Sequence, residues 1–367
     1  MMEMVEFRLR DRNIARKALD ALAAMKQEIT VMHVCGTHQD TLVRFGIEPL
    51  LKEAGVSIRQ GPGCPVCVTT GREIEAAVTL ARKGKVIASF GDMVKVPGKD
   101  MTLSEVRSRG GDVRIVYSPT DVIKMAEREP DREFVFLGIG FETTAPTTSA
   151  LLLDEKLPGN ISVMSYHRTV PPALRFIAEA GEVKLDGLIQ PGHVSMVIGE
   201  RPYDFISEEF GLSQVIAGFE PLDLIMACLE IARQRKEGKA RLVNIYGRVV
   251  RPEGNREALS AMERTFDPID IPWRGFPTIP GSGLGISKEF DDRDAYLRFE
   301  DELSDVWEMD IPEPPGCRCG EVLRGLIDPK ECPLFGKACA PNTPVGPCMV
   351  SREGSCNILY RWGKDPV

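Results

Sequence analysis

Thiolates bind soft metals and exchange electrons in pairs, and this chain gathers its cysteines at two separate places. Six of its ten cysteines form the series Cys317-x-Cys319-x12-Cys332-x6-Cys339-x8-Cys348-x7-Cys356. Far upstream stand Cys64-Pro65-Val66-Cys67, after Gly61-Pro62-Gly63, and Cys35 within His33-Val34-Cys35-Gly36-Thr37-His38. A chain arranged in this way handles both electrons and a metal.

An iron-sulfur cluster needs four converging thiolates, with sequence spacings that vary widely. Cys319, Cys332, Cys339 and Cys356 are the expected ligands, leaving Cys317 and Cys348 as a candidate redox pair beside them. Structural zinc and simple disulfides are the other readings. Zinc sites pair ligands about two to four residues apart twice over, which this series does poorly. Cys64 and Cys67 have the C-x-x-C spacing that permits a disulfide within the loop and lowers one thiol's pKa, with a two-cysteine metal half-site as the alternative. The glycines before them allow close approach of the backbone, and a helix starting near Gly71 would favour a nearby thiolate. Cys35 follows a buried-looking strand and has Gly36, Thr37, His38 and Asp40 beside it, so its thiolate could hold low-spin iron with His38 assisting. His33 is expected to point into the sheet, and Cys228 to pack in a helix core.

In Gly140-Phe141-Glu142-Thr143-Thr144-Ala145-Pro146 a strand runs through a glycine turn into a helix start capped by threonine. Glu142 is either an acid or base at a cleft or an ordinary solvated glutamate. The third glycine of a dinucleotide fingerprint is missing, and no Walker sequence occurs, so a nucleotide reading is weak. Gly281-Ser282-Gly283-Leu284-Gly285 reads as a loop.

These residues must be held by something, and the sequence between them alternates β-branched runs with helical patterns. Expected strands are 29–34, 56–60, 86–90, 113–117, 134–139, 161–166, 185–190, 215–217 and 242–249, with helices over 72–81, 120–128, 172–180 and 222–234. The alternation predicts an α/β fold: two similar lobes with parallel sheets flanked by helices, plus a loop-rich C-terminal unit. The expected lobes are 28–130, carrying Cys35 and the Cys64–Cys67 loop, and 131–250, carrying Glu142. Residues 251–367 form the metal unit, with an amphipathic helix 1–27 packed nearby. Ile58-Arg59-Gln60-Gly61-Pro62-Gly63 and Leu188-Ile189-Gln190-Pro191-Gly192-His193 echo each other, as if the lobes were repeats. The motifs all follow strand ends, where α/β sheets bind ligands, which favours a cleft between lobes.

With 43% apolar residues the chain can bury a sizeable core, while a net charge of -8 and a pI near 5.3 argue against nucleic-acid or anionic-membrane partners. No apolar run approaches the roughly 18 residues of a spanning helix, so the expected location is the cytoplasm.

The segments HVCGTHQDT (33–41), GPGCPVC (61–67), GFETTAPTT (140–148), CRCGEVLRG (317–325) and ECPLFGKACAPNTPVGPCMVSREGSC (331–356) together resemble the hydrogenase maturation factor HypD family, in the same order and over essentially the whole chain. The resemblance implies a cytosolic factor with a [4Fe-4S] cluster in its third domain. Such a factor works with HypC and with the cyanide donor HypE to assemble the Fe(CN)2CO group of [NiFe] hydrogenase. It further implies that Cys35 holds the nascent iron together with a cysteine of HypC. Cys64 and Cys67 would be the redox pair, His38, Glu142 and Thr143 would line the site, and the cluster would supply electrons. It describes an assembly scaffold more than a turnover enzyme, the alternative being a cluster-dependent dithiol/disulfide oxidoreductase.

Overall fold

Short runs of Val, Ile, Leu and Phe without polar alternation become parallel strands buried on both faces. The structure, a computed structural model, describes residues 11–363. Nine parallel strands start within two residues of the expected positions: β1 (Ile29–His33), β2 (Val56–Gln60), β3 (Val86–Ser89), β4 (Val113–Ile115), β5 (Phe134–Gly140), β6 (Ile161–His167), β7 (Gly187–Pro191), β8 (Ser213–Ala217) and β9 (Leu242–Asn244); β4 and β9 are shorter than expected, and β9, at the sheet edge, is only half-buried. Every residue of β5 and β6 is buried.

The strands form two wholly parallel sheets, ordered β2-β1-β7-β8-β9 and β4-β3-β5-β6. The expected division into consecutive lobes, 28–130 and 131–250, therefore does not describe the sheets. The chain lays down β1 and β2, leaves to build the second sheet with β3 to β6, and returns for β7 to β9. The Gln-Pro-Gly echo has a different meaning too. Its two copies end β2 and β7, which flank β1 on either side of one sheet.

Both sheets share one winding pattern. Numbered by order of appearance within its own sheet, the first reads 2-1-3-4-5 and the second 2-1-3-4. The winding reverses between β1 and β7 in one and between β3 and β5 in the other. Such a reversal opens a crevice beyond the strand ends, because the two connections leave to opposite faces.

The amphipathic helix expected at 1–27 is described as Arg12–Ala24, with residues 1–10 outside the described residues. It buries Ala18 and Leu22 in a cluster with Leu224, Ile225 and Cys228 of the helix Pro221–Glu237. It thus belongs with the first sheet rather than with the C-terminal unit.

The stretch after residue 250 is more regular than expected. It begins with the helix Arg256–Thr265 and continues as an antiparallel hairpin, β10 (Phe266–Pro272) and β11 (Thr278–Ile286), which packs on β6. The glycine run 281–285 is part of β11 and not a loop. A Cβ at Gly283 or Gly285 would come within 2.7 Å of Ile271 or 2.8 Å of Ile269, so small residues let the hairpin close. From about Cys317 the chain holds only short helices, Cys319–Leu323 and Pro347–Val350, before the final helix Ser355–Trp362.

Candidate functional site

Cys35 is the second of the two residues between β1 and the helix Gly36–Arg44, whose N-cap it is, at the reversal point of the first sheet. Two glycines bring other segments onto it. A Cβ at Gly63 would lie 2.4 Å from Cys35 N, and Gly36 N donates to the Gly63 carbonyl at 3.4 Å, so the loop leading to Cys64 runs against Cys35. On the opposite side a Cβ at Gly36 would lie 2.6 Å from the Glu353 carbonyl oxygen. The thiol of Cys35 is thus enclosed between the Cys64 loop and the C-terminal segment.

Cys64 and Cys67 are disulfide-bonded, with Cα atoms 5.2 Å apart. Pro65 supplies a ready-made φ for the short helix Pro65–Val68, which packs on Pro347–Val350. Cys67 Sγ lies 3.8 Å from the Pro347 carbonyl oxygen, one residue before Cys348.

Burial pushes the Cys35 thiol up to about 11, although the backbone N–H groups of His38 and Thr37 work the other way. It is a thiol at neutral pH and must release a proton to bind metal. His38 is fully buried, and desolvation, then His33, lowers it to about 3. Its Nε2 lies 3.0 Å from the Gly218 carbonyl, which can only accept, so Nε2 carries the proton and Nδ1 keeps a free lone pair with no partner. His33, buried at the end of β1, is paired with the following helix: its Nε2 lies 2.8 Å from Gln39 Oε1.

Glu142 is 2% exposed, which removes the solvated-glutamate reading. Its Oε1 accepts from Val170 N at 2.9 Å, Oε2 has no partner, and burial raises the carboxyl to about 7. It belongs to the second sheet's reversal point, while Cys35 belongs to the first. Tyr203 connects them: its hydroxyl, 3.2 Å from Ser195 Oγ, is raised by burial and then by the charges of both Glu142 and Cys35. Thr143 is exposed. Thr144 does not cap the helix Ala145–Leu152 as expected; its hydroxyl donates to the Ile139 carbonyl at 3.0 Å instead.

The sequence reading missed several wall residues. Glu353 faces Cys35 closely enough to raise its pKa, and Arg352 N donates to Asp92 Oδ2 at 3.1 Å, tying the tail to the loop after β3. Phe219 stacks on His193 at 4.0 Å between ring centres and leans on His38 at 5.1 Å. Only Glu353 had a signal, its place in the Arg-Glu-Gly-Ser-Cys run before Cys356.

All six tail cysteines line one small cavity with Val322, Leu334, Phe335, Gly346 and Met349. Cys319 Sγ and Cys348 Sγ are 2.9 Å apart, and Val345 N donates to Cys339 Sγ at 3.3 Å. Hydrogen bonds to Cys317 and Cys348, helped by the charge of Arg274, hold Cys319 well below the ordinary thiol value, while both partners are raised. Among the described residues, no three His, Cys, Asp or Glu side chains converge in a metal-binding geometry. The sulfur-only donor set around one cavity nonetheless fits an iron-sulfur cluster better than a hard cation. The cavity lining does not single out four cysteines from the six.

Among the described residues no helix is long and apolar enough to cross a membrane.

The family described as "HypD: Hydrogenase formation hypA family" matches residues 12–363. A Methanocaldococcus jannaschii protein named for hydrogenase expression and formation is 44% identical over 96% of this chain and 98% of its own length. The hydrogenase maturation factor HypD of Rhodobacter capsulatus is 40% identical over 95% of this chain and 93% of its own. That of Escherichia coli is 40% identical over 92% and 90%.

Proposed function

This chain belongs to the HypD family and takes part in hydrogenase maturation; from that premise we propose that it is the scaffold on which, with HypC, the Fe(CN)2CO group is assembled. One observation carries the reading: at the reversal point of the first sheet, Cys35 and Gly36 are in backbone contact with Gly63, just before the Cys64–Cys67 pair, and with Glu353 of the C-terminal segment.

Iron is the cargo. Cys35 gives up its proton on taking the metal, and a cysteine from HypC completes the grip. The backbone N–H groups of Thr37 and His38 then face the sulfur when it is anionic. His38, neutral and with Nδ1 free, offers a hydrogen-bond acceptor one helical turn from Cys35, while its burial makes it too weak a base to hold the thiol proton. Glu142, near 7, exchanges a proton close to neutrality at low cost, and Thr143 stands exposed beside it. HypE, as cyanide donor, approaches the same opening in a transient complex.

Breaking the Cys64–Cys67 bond takes two electrons and two protons and yields two thiols against Cys35. Cys319, Cys332, Cys339 and Cys356 would hold a [4Fe-4S] cluster, with Cys317 and Cys348 beside them, and such a cluster supplies electrons singly. Cyanide and carbon monoxide, strong-field ligands, favour low-valent iron, which gives the reducing equivalents a use. Assembly of this kind belongs in the cytoplasm.

The formed disulfide also favours a second reading, a cluster-dependent dithiol/disulfide oxidoreductase. Infrared spectra of the oxygen-free complex with HypC separate the two. Scaffolding predicts cyanide and carbon monoxide bands on iron. Their absence, together with disulfide reductase activity lost in Cys64→Ala and kept in Cys35→Ala, would overturn it.

A further inference from the structure

The segment 273–277 between β10 and β11 is wedged between the two cysteine regions. On one side Arg274 N donates to the Val68 carbonyl at 2.8 Å and Arg274 Nε to the Thr69 carbonyl at 3.0 Å, directly after Cys67. On the other, Gly275 (φ 80°) meets Gly320: a Cβ on Gly275 would lie 2.3 Å from Gly320 Cα. The backbone next to Arg274 therefore touches the backbone next to Cys319.

Arg274 is only 4% exposed. Its Nη1 donates to both oxygens of Glu313, at 2.7 and 2.6 Å, and its Nη2 is buried without a partner. Burying a guanidinium costs several kcal/mol before any pairing, and a hairpin tip can be closed without one. Its acidic partner is 42% exposed, so water screens the carboxylate more than the guanidinium. A fixed positive charge therefore sits between the Cys64–Cys67 turn and the backbone beside Cys319, outside the lining of the sulfur cavity and near enough for its charge to favour the Cys319 thiolate.

We propose that Arg274 is a positioning residue that sets the reduction potential of the metal centre held by the tail cysteines, so that reducing equivalents collect next to the Cys64–Cys67 turn. The inference rests on the reading that these cysteines hold a cluster. Reduction adds one negative charge to a cavity of low dielectric, and a neighbouring cation stabilises the reduced form. Removing the cation makes the centre harder to reduce.

Redox titration of the full chain, purified without oxygen and followed by electron paramagnetic resonance, tests this. Arg274→Gln is expected to lower the reduction equilibrium about tenfold, a midpoint about 59 mV more negative for one electron. Arg274→Lys, which keeps the charge and loses the fork, stays nearer the wild type. Glu313→Gln, at a half-exposed position, shifts the midpoint upward. A fully loaded Arg274→Gln with the wild-type midpoint, or Arg274→Lys falling as far as Arg274→Gln, would overturn the proposal. If Arg274→Gln does not retain iron, Glu313→Gln decides: an upward shift supports the proposal, an unchanged or lower midpoint refutes it. Wild-type protein devoid of iron and sulfide would instead remove the cluster itself, and this inference with it.

Discussion

Cys35 and the tail cysteines are held by different kinds of architecture. Cys35 is fixed by a five-stranded parallel sheet, with strands on both sides of β1 and a helix of nine residues starting at the next position. The tail cysteines sit on helices of four, five and eight residues and the loops between them, and their side chains line one cavity together with Val322, Leu334, Phe335 and Met349. The geometry of the first region rests on backbone hydrogen bonding of the sheet. The second gathers six cysteines around one small cavity, so metal ligation there would double as folding energy. A scaffold gains from this division. On the proposed reading, the site that would release its cargo lies on a sheet, and the resident centre would be tied into the fold.

The comparison breaks most readily at the tail. Cys319→Ala is expected to lose iron and sulfide and to destabilise the segment 317–358 on the order of 5 kcal/mol, with faster hydrogen exchange confined there. Cys35→Ala should keep both cluster and melting temperature. Equal loss from the two variants would mean that the regions are not built differently.

Next comes a cost stored in the crevice. Burial raises Glu142 from 4.5 to about 7, so between those values the folded chain holds a proton that the unfolded chain has released. The associated stability is complete below about pH 4.5 and is lost as pH rises through about 7. Glu142→Gln avoids that loss. It should match the wild type near pH 4 and exceed it by up to about 3 kcal/mol at pH 8.5 in denaturant melts. A variant no more stable than the wild type at pH 8.5 would place Glu142 in contact with water or an unassigned cation.

Opening the Cys64–Cys67 disulfide should cost less, about 2 kcal/mol at most, because it closes a very short loop. Calorimetry of oxidised and reduced protein measures this directly. A larger loss would show that the crevice, like the tail, needs its sulfur bond to hold shape. The smallest effect serves as a control. Thr102→Ala removes the capping box of the helix Leu103–Ser108, which packs against neither region, and should cost about 1 kcal/mol with cluster content unchanged.

The legibility of the two regions in the sequence follows the same contrast. β5 and β6 could be read because a strand buried on both faces writes itself as an unbroken apolar run, as in Phe134–Gly140. Which sheet a strand joins is a long-range matter: β1 pairs with β7, and Thr30 N reaches Asp186 across 156 positions, a contact no local pattern announces. The hairpin stayed hidden because Pro268, Pro272 and three glycines mask its alternation. Prolines are tolerated in an isolated two-stranded ribbon and would be excluded from a central strand. Cysteine motifs exposed Cys35, Cys64 and the tail, whereas Tyr203 and Phe219 act through position alone. Arg274 lies in a loop whose neighbours, Trp273 and Gly275, reveal its burial only once the fold is known.

The central claim is that Cys35 grips an iron distinct from the tail centre. Its most direct test is the infrared spectrum of Cys35→Ala purified without oxygen together with HypC. The account predicts that the cyanide and carbon monoxide bands vanish while the iron and sulfide of the tail remain; a spectrum indistinguishable from the wild type would contradict it.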